Sequence, residues 1–217
     1  MCGSRDRSHA ISIACIIATS ALAADATVNR SFGGVPYANR AWLLRNVILP
    51  CYVEWSDLFS EIIVVGEWEF FPGTTWLDFP SIYGNASDAL VKRQAGYDAL
   101  QRKDVEWVLF QHDDHLYAPD NPYPMADADV LAPSRFTRAR SGVGEQLNDG
   151  STYGYVNGHG CLMRPSCFTR GFSWAGIPPT RVWDVAMTER LTGLGLTWAP
   201  APQLKLYDME AGASPWV

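Results

Sequence analysis

The first half of the sequence alternates between short apolar runs and segments with helical periodicity, and this alternation restricts the folds that the chain can adopt. The runs at 11–19, 61–65 and 105–111 are rich in Ile, Val and Leu and have the length of buried strands. Between them, 40–55 and 88–103 carry apolar residues three and four positions apart, which predicts two helices. This order is typical of a parallel sheet with crossover helices. We therefore predict a mixed α/β fold whose mostly parallel sheet is flanked by helices.

The second half continues the α/β pattern less regularly. A possible strand at 128–133 runs into a basic loop, and 154–172 mixes small residues with a strand-like centre. The segment 183–192 predicts a helix, which a Gly-rich turn and a short strand follow. In the first half, the aromatic and turn-rich stretch 69–85 predicts a loop, and Pro50 is expected to end or kink the first helix.

Length and composition favour one folded domain. The chain has 217 residues, of which 47% are hydrophobic, and this fraction suffices for a core. Neither a repeat nor a clear linker occurs. We predict a single domain over 1–217, with one half at about 9–118 and the other at about 119–208.

The N-terminal apolar run admits two interpretations. Arg5 and Arg7 precede it and Ala21-Leu22-Ala23 follows it, as in a secretory signal peptide. We favour a buried first strand, because the predicted sheet would otherwise lose its first member. Elsewhere no run approaches about 18 apolar residues, so we predict neither a transmembrane helix nor a membrane partner.

Charge and cysteine content restrict the partners and the compartment. The net charge is −6. A protein that holds nucleic acid through phosphate contacts is usually basic, so such a partner would need a local patch, and Arg135, Arg138 and Arg140 are the candidates. The alternative is a solvated basic loop. The five cysteines are odd in number and form no Cys-x-x-Cys pair, which favours reduced thiols and a cytoplasmic protein.

Four potential metal ligands follow the third predicted strand directly. They are His112, Asp113, Asp114 and His115. Ligands of open α/β sheets bind beyond the carboxyl ends of the strands. Carboxylates suit Mg²⁺ and Mn²⁺, and an imidazole shifts the preference towards Mn²⁺. In an extended segment Asp113 would face the same side as His115, and His112 the same side as Asp114. The alternative is a surface turn whose aspartates cap the backbone.

The segment 87–117 resembles the central part of glycosyltransferases with the GT-A fold, of the nucleotide-sugar-dependent, family-2-like kind. Arg93 and Gly96 on a helix, then a strand, then Asp113-Asp114 match the order of that family's elements. Asp113-x-His115 resembles the Asp-x-His variant of its metal motif. A plain Asp-x-Asp occurs only later, after no buried strand, and we interpret it as a solvated loop.

The downstream sequence agrees in order with the same family. The segment 154–172 resembles its small-residue strand followed by an Arg and a Phe, and 181–195 resembles its acceptor-side acidic motif at the start of a helix. The resemblance implies a GT-A-like (Rossmann-like) fold, with a nucleotide-binding half at 9–118 and an acceptor half at 119–208. It also implies an inverting, metal-dependent transfer of sugar from a nucleotide-sugar, with a UDP-sugar as the expected donor and Mn²⁺ or Mg²⁺ as the cation.

The resemblance implies a role for each candidate residue. The expected metal ligands are Asp114, Asp113 and His115; the expected donor contacts are Arg93, Glu67, Asp113, Gly158 and His159; and the expected catalytic base is Asp184, with Glu189 as a second candidate. Each has a plainer alternative. Arg93 could be an exposed helix arginine. Glu67 and His159 could be ordinary loop residues, and Asp184 could be a helix N-cap.

The sequence leaves more than one acceptor and more than one reaction class open. The acceptor hydroxyl could belong to a hydroxymethylated pyrimidine in DNA, as for viral DNA-modifying enzymes in host cytoplasm, or to a glycan. A nucleotidyltransferase would need a Gly-rich phosphate loop straight after the first strand, and 18–25 lacks one. A non-catalytic protein that binds a nucleotide or a glycan is the third alternative. The sequence does not indicate an oligomeric state.

Overall fold

The computed structural model describes most of the chain between Ile13 and Asp208. The described residues are 13–19, 31–32, 35–36, 44–54, 58–67, 70–80, 86–101, 104–118, 120–121, 126–138, 144–146, 151, 154–158, 160–178 and 183–208. The strands are β1 (Ile13–Ala18), β2 (Ser31–Phe32), β3 (Val35–Pro36), β4 (Phe59–Val65), β5 (Thr75–Leu77), β6 (Trp107–His112), β7 (His115–Tyr117), β8 (Val130–Pro133), β9 (Arg135–Arg138), β10 (Gly144–Gln146), β11 (Leu162–Met163), β12 (Trp198–Ala201) and β13 (Leu206–Asp208). The α-helices are α1 (Leu49–Glu54), α2 (Ala86–Ala99), α3 (Ser166–Thr169) and α4 (Trp183–Gly193).

A seven-stranded mixed sheet forms the centre of the fold. Its strands lie in the order β12-β8-β11-β6-β1-β4-β5. All neighbours pair in parallel except β11, which runs antiparallel to both β6 and β8. In the middle of the sheet Cys15 lies between Ile62 and Leu109. The predicted α/β fold with a mostly parallel sheet is therefore confirmed.

The helices cover both faces of this sheet, which explains why β1 shows no polar alternation. Cys15 and Ile17 pack on one face with Tyr52 of α1, whereas Ile16 packs on the other face with Leu90 of α2. Strands that are buried on both faces have near-continuous apolar sequences. The predicted first strand is confirmed by this position.

A second, four-stranded sheet joins the two halves of the chain. Its strands lie in the order β10-β9-β13-β7, so strands from the end of the first half and the end of the second half are hydrogen-bonded neighbours. Leu116 and Leu206 of this sheet belong to the same core cluster as Cys15. The short turn at 113–114 leads from β6 of the large sheet into β7 of the small one.

Three local predictions need correction. The stretch predicted as a loop contains β5, which is paired with β4 at the edge of the sheet, because three residues suffice for an edge strand. Pro50 does not end the first helix: a π-helical turn at Leu44–Ile48 runs directly into α1, and Pro50 is the second residue of α1, so the change from π to α geometry lies next to the proline. Helix α2 begins at Ala86 and ends at Ala99, earlier than the periodicity indicated.

The described part of the chain has further features that bear on the sequence predictions. No described helix combines the length and the apolar character that crossing a membrane requires. Cys15, Cys51, Cys161 and Cys167 are free thiols.

Gly96 lets α2 lie against β1, and this contact yields a stability prediction. A Cβ at Gly96 would stand 2.5 Å from Cγ2 of Ile16 and 3.1 Å from Cγ2 of Val65. We expect Gly96→Ala to lower the free energy of unfolding by about 1 kcal/mol or more, because overpacking outweighs the better helix propensity of Ala. Urea unfolding monitored by Trp fluorescence measures the change.

The matched control is the helical glycine Gly193, whose added Cβ would meet no atom within 4 Å. Gly193→Ala is expected to leave the free energy of unfolding unchanged or raise it by up to about 1 kcal/mol. Equal effects of the two substitutions would contradict the packing argument.

Candidate functional site

The carboxyl ends of three neighbouring strands meet at one edge of the large sheet. Ala18, the last residue of β1, pairs with Val65 of β4 and with His112 of β6. Gly66 follows β4 and lies so close to the end of β1 that a Cβ there would stand 2.3 Å from the Thr19 carbonyl oxygen. Ligands of such sheets bind at this edge, so residues directly beyond these strands form the candidate site.

The two aspartates after β6 are buried. Asp113 is 2% exposed and Asp114 is 7% exposed, although they form a turn. The alternative of a surface turn is therefore excluded for this pair. The Thr19 hydroxyl donates a hydrogen bond of 2.9 Å to Oδ2 of Asp113, and Nδ1 of His115 lies 2.7 Å from Oδ1 of Asp114.

The side-chain pairing in this turn differs from the predicted one. An extended backbone would place Asp113 with His115, but residues 113–114 form a turn, so alternation along a strand does not apply. Asp114 instead contacts His115, and His112 accepts a hydrogen bond of 2.9 Å from Nη2 of Arg93 if its Nε2 is unprotonated. His112 is thereby engaged on the side of α2.

The donor set of the turn suits a divalent cation only in part. Two carboxylates and one imidazole, from Asp113, Asp114 and His115, have the chemistry that Mn²⁺ accepts. However, the described residues include no group of three or more His, Cys, Asp or Glu side chains arranged to hold a metal ion. Within that part of the chain, these side chains could supply some ligands, and oxygens of another molecule would have to supply the rest.

Arg93 is fully buried in the middle of α2. Its guanidinium carbon lies 4.8 Å from the ring centre of Trp174 and 5.0 Å from that of Trp183. The alternative of an exposed helix arginine is wrong. Burial lowers the pKa of Arg93, while Cys161 and Asp184 oppose this shift. Its Nε and Nη1 have no hydrogen-bond partner among the described residues.

Asp184 lies in the first turn of α4, and the segment before β11 holds its carboxylate. The backbone N–H of Gly158 donates a hydrogen bond of 3.0 Å to Oδ1 of Asp184. Helix α4 begins at Trp183, so Asp184 lies inside the helix rather than at the N-cap position. Burial raises the pKa of Asp184, whereas the Gly158 N–H and the charge of Arg93 lower it. The net shift is upward.

Gly158 also contacts the residue beside Asp184 closely. A Cβ at Gly158 would stand 2.5 Å from the Trp183 ring. Because β11 runs antiparallel to β6, the residues before β11 reach the same edge as the residues after β6: Gly160 N donates 2.9 Å to the Phe110 carbonyl. This reversal of one strand brings Gly158 and Asp184 to the edge that carries Asp113.

A buried lysine behind the aspartates was not foreseen from the sequence. Lys92 has no exposed surface, and its Nζ donates hydrogen bonds of 2.8 Å to Oδ2 of Asp88 and of 2.8 Å to the Thr19 carbonyl. Thr19 in turn donates to Asp113. The available sequence signal was the Asp88–Lys92 spacing of four on a helix, which usually indicates a solvated pair.

The other predicted residues have varied positions. Glu67 follows Gly66 at the same edge and is half-buried. Glu189 is exposed and lines a groove along α4 with Tyr155 and Val185. His159 lies outside the described residues. Of the basic patch, Arg135 is exposed, and neither Arg140 nor the side chain of Arg138 belongs to the described part.

The plain Asp-x-Asp motif lies at the opposite edge of the sheet. It precedes β8, which runs parallel to β6 because both are antiparallel to β11. Asp127 is exposed, but Asp129 accepts hydrogen bonds from the Thr197 backbone N–H at 2.8 Å and from Arg170 at 3.2 Å. The interpretation as a wholly solvated loop is therefore wrong for Asp129, which ties β8 to its neighbours.

Comparisons with known proteins bear on the fold. No protein-family model matches the sequence, and no curated protein matches it. A structure of GalNAc-T7 with UDP, GalNAc and Mn²⁺, a GT-A glycosyltransferase, is similar with a TM-score of 0.52 at 9% identity, over 94% of this chain and 46% of that one. The inositol-1-phosphate CTP transferase from T. maritima is similar with a TM-score of 0.50 at 11% identity, over 94% of this chain and 91% of that one. The chain thus spans about half the length of the GalNAc-T7 chain, and the likeness shows a GT-A-like fold.

Proposed function

We propose that the chain is an inverting, metal-dependent glycosyltransferase that moves a sugar from a nucleotide-sugar, with UDP as the nucleotide, to a hydroxyl acceptor. The observation that carries this proposal is the meeting of Asp113, Asp114 and Asp184 at one sheet edge, although Asp184 comes from the other half of the sequence. The likeness to a structure that contains UDP, GalNAc and Mn²⁺ supports the same assignment. In this proposal one catalytic domain, 1–217, binds the donor with 9–118 and the acceptor with 119–208.

The donor side consists of the residues beyond β4 and β6. Asp114, Asp113 and His115 would hold Mn²⁺ or Mg²⁺, and the bound cation would neutralise the charge that develops on the leaving diphosphate. Burial of the two aspartates supports this role, because a carboxylate that is shielded from water interacts more strongly with a cation. Glu67 would contact the ribose or the base. Arg93 has no exposed surface, so its contribution to the donor site would pass through His112.

The acceptor side centres on Asp184. Its carboxylate would accept the proton of the attacking hydroxyl, and the Gly158 N–H fixes its orientation. The upward shift of its pKa makes it a stronger base than an ordinary aspartate. Gly158 and His159 would lie against the transferred sugar, since a residue without a side chain lets backbone approach a ligand.

Replacing Asp114 by alanine is expected to lower the rate of sugar transfer at least about 100-fold and to weaken the dependence of that rate on Mn²⁺, because a ligand of the cation is lost. The measurement is the initial rate of donor consumption over a Mn²⁺ titration at saturating UDP-sugar. Asp127→Ala is the control, since Asp127 is an exposed aspartate of the motif at the opposite edge. Full activity of Asp114→Ala would remove Asp114 from the donor site.

The acceptor is tested by product analysis. The enzyme is incubated with a panel of nucleotide-sugars and either hydroxymethylcytosine-containing DNA or oligosaccharides, and the products are read by mass spectrometry. The exposed Arg135 favours including DNA, because Arg contacts phosphate oxygens. A hexose added to the nucleoside supports the DNA acceptor. No mass shift in DNA with any donor would leave the glycan acceptor.

A nucleotidyltransferase is the second candidate function. The likeness to the inositol-1-phosphate CTP transferase, which covers 91% of that chain, favours keeping it. The two reactions differ in their small product: a nucleotidyltransferase releases pyrophosphate from a nucleoside triphosphate, whereas a glycosyltransferase releases a nucleoside diphosphate from a nucleotide-sugar. Chromatography of both products, with and without Mn²⁺, separates the candidates. Binding of nucleotide without either product would indicate a non-catalytic protein.

A further inference from the structure

We infer that Arg93 is a positioning residue that connects the two sides of the site: it orients His112 next to the Asp113–Asp114 turn and fixes a positive charge in the packed cluster that carries Asp184. This inference rests on the proposed function in one respect, namely that Asp184 is the base. Arg93 itself touches neither substrate, because it is fully buried.

The first support is the way in which the guanidinium is held. It lies over the rings of both Trp174 and Trp183, which contact each other edge to face with ring centres 6.2 Å apart, and Nη2 donates to His112 at 2.9 Å. An arginine stays protonated inside a protein, so a full positive charge is fixed at this place. Contact with two aromatic rings restricts rotation of the Arg93 guanidinium. The hydrogen bond from this fixed guanidinium then favours one orientation of the His112 ring.

The second support is a continuous path of contacts from Arg93 to Asp184. Trp183 lies over the guanidinium and is the residue before Asp184. Gly158 fits against the Trp183 ring so closely that a Cβ would stand 2.5 Å from it, and the same Gly158 donates its N–H to Asp184. The carboxylate and the guanidinium are thus held on neighbouring parts of one packed cluster.

The third support is the set of charges around the Asp184 carboxylate. The Gly158 N–H donates to it from the segment before β11, and it interacts electrostatically with Arg93 of α2 and with the Cys161 thiol. Burial raises the pKa of Cys161 to about 12, so this thiol is neutral at physiological pH. On α4 itself the next acidic residue, Glu189, is exposed. Among the residues that the structure describes, Arg93 supplies the positive charge that opposes the effect of burial on the pKa of Asp184.

The test measures the ionisation of Asp184 directly. The ¹³C chemical shift of its carboxyl carbon, assigned by its loss in Asp184→Asn, is followed over pH in the intact protein without donor or metal. In Arg93→Met, which keeps an apolar stem against the two tryptophans, we expect the pKa of Asp184 to rise by on the order of one unit or more. The acid limb of kcat/KM for sugar transfer should move to higher pH by the same amount.

Two further variants separate charge from packing. Arg93→Gln is the second neutral variant and is expected to give the same rise, so the test does not depend on whether Arg93→Met folds. Arg164→Met is the matched control: Arg164 also stacks on a tryptophan, with 4.4 Å from its guanidinium carbon to the Trp107 ring centre, but it contacts Glu106 at the opposite edge. This control should leave the pKa of Asp184 unchanged.

An unchanged pKa of Asp184 in the neutral Arg93 variants, or an equal rise in Arg164→Met, would overturn the inference. The result is separable from that of the proposed function, because the titration needs no substrate. A wild-type protein without transferase activity but with the Arg93-dependent shift would refute the function and keep the coupling. Transfer activity in the wild type without an Arg93-dependent shift in the pKa of Asp184 would support the function and refute the coupling.

Discussion

Replacement of Asp184 by asparagine is expected to lower kcat for sugar transfer about 10²–10⁴-fold, the range that a general base contributes. Asparagine has nearly the same shape, and its amide oxygen can still accept the Gly158 N–H, so the local structure should persist. What disappears is the ability to accept the proton of the acceptor hydroxyl. Single-turnover rates with saturating UDP-sugar and acceptor measure the loss.

Two companion measurements assign the effect to chemistry. Binding of UDP in the presence of Mn²⁺ should be the same in Asp184→Asn as in the wild type, because Asp184 lies on the acceptor side. In the wild type, kcat/KM should fall at acidic pH with a midpoint above the ordinary aspartate value of 3.8, since burial raises the pKa of Asp184. The residual activity of Asp184→Asn should not show this fall. Glu189→Gln, an exposed neutralisation on the same helix, should be nearly silent. A large loss in Glu189→Gln together with an active Asp184→Asn would exchange the two roles.

Replacement of Lys92 by methionine is expected to lower the free energy of unfolding by about 3–5 kcal/mol, the cost of removing one partner from a buried ion pair. Asp88 is 7% exposed and Lys92 is fully buried, so water cannot replace the lost ammonium at the carboxylate. The Thr19 carbonyl loses a donor in the same substitution. Guanidinium unfolding, with the m-value compared between variants, measures the change.

The control for this substitution is an ion pair of the same type at the surface. Lys205 contacts Asp120 with side chains 52% and 63% exposed, and Lys205→Met should leave the free energy of unfolding nearly unchanged. The double variant Asp88→Leu/Lys92→Met should recover most of the lost stability, because neither position then leaves an unpaired buried charge. A loss under about 1 kcal/mol in Lys92→Met would mean that Asp88 is stabilised by its other contacts.

The strands of the large sheet were predictable because their burial is complete. β1, β4 and β6 are apolar on both faces, so their sequences contain continuous runs that few other structures explain. The prediction that Asp113 follows a strand end needed no more than this. The edge strand β5 escaped prediction because its three half-buried residues lie in a stretch rich in turn residues.

The polar interior of α2 could not be predicted from the helix alone. Arg93 and Gln94 interrupt its apolar stripe, Lys92 lies outside that stripe, and a charged residue in a helix usually faces water. The burial of Lys92 and Arg93 depends on partners that come from other elements, namely Thr19 after β1 and Trp174 and Trp183 in the second half. Periodicity within one helix contains no information about such partners.

Because β11 runs antiparallel to β6, the two sides of the site are carried by different chain connections and can vary in length independently. Asp113 is reached after β6, whereas Gly158 is reached before β11, and both lie at one edge. A change in the length of the connection between β10 and β11 would therefore reshape the Gly158 side without shifting the register of the strand that carries Asp113. An engineer could therefore vary an exposed position of that connection, such as Ser151, while keeping the Asp113–His115 turn and the buried Val156 constant.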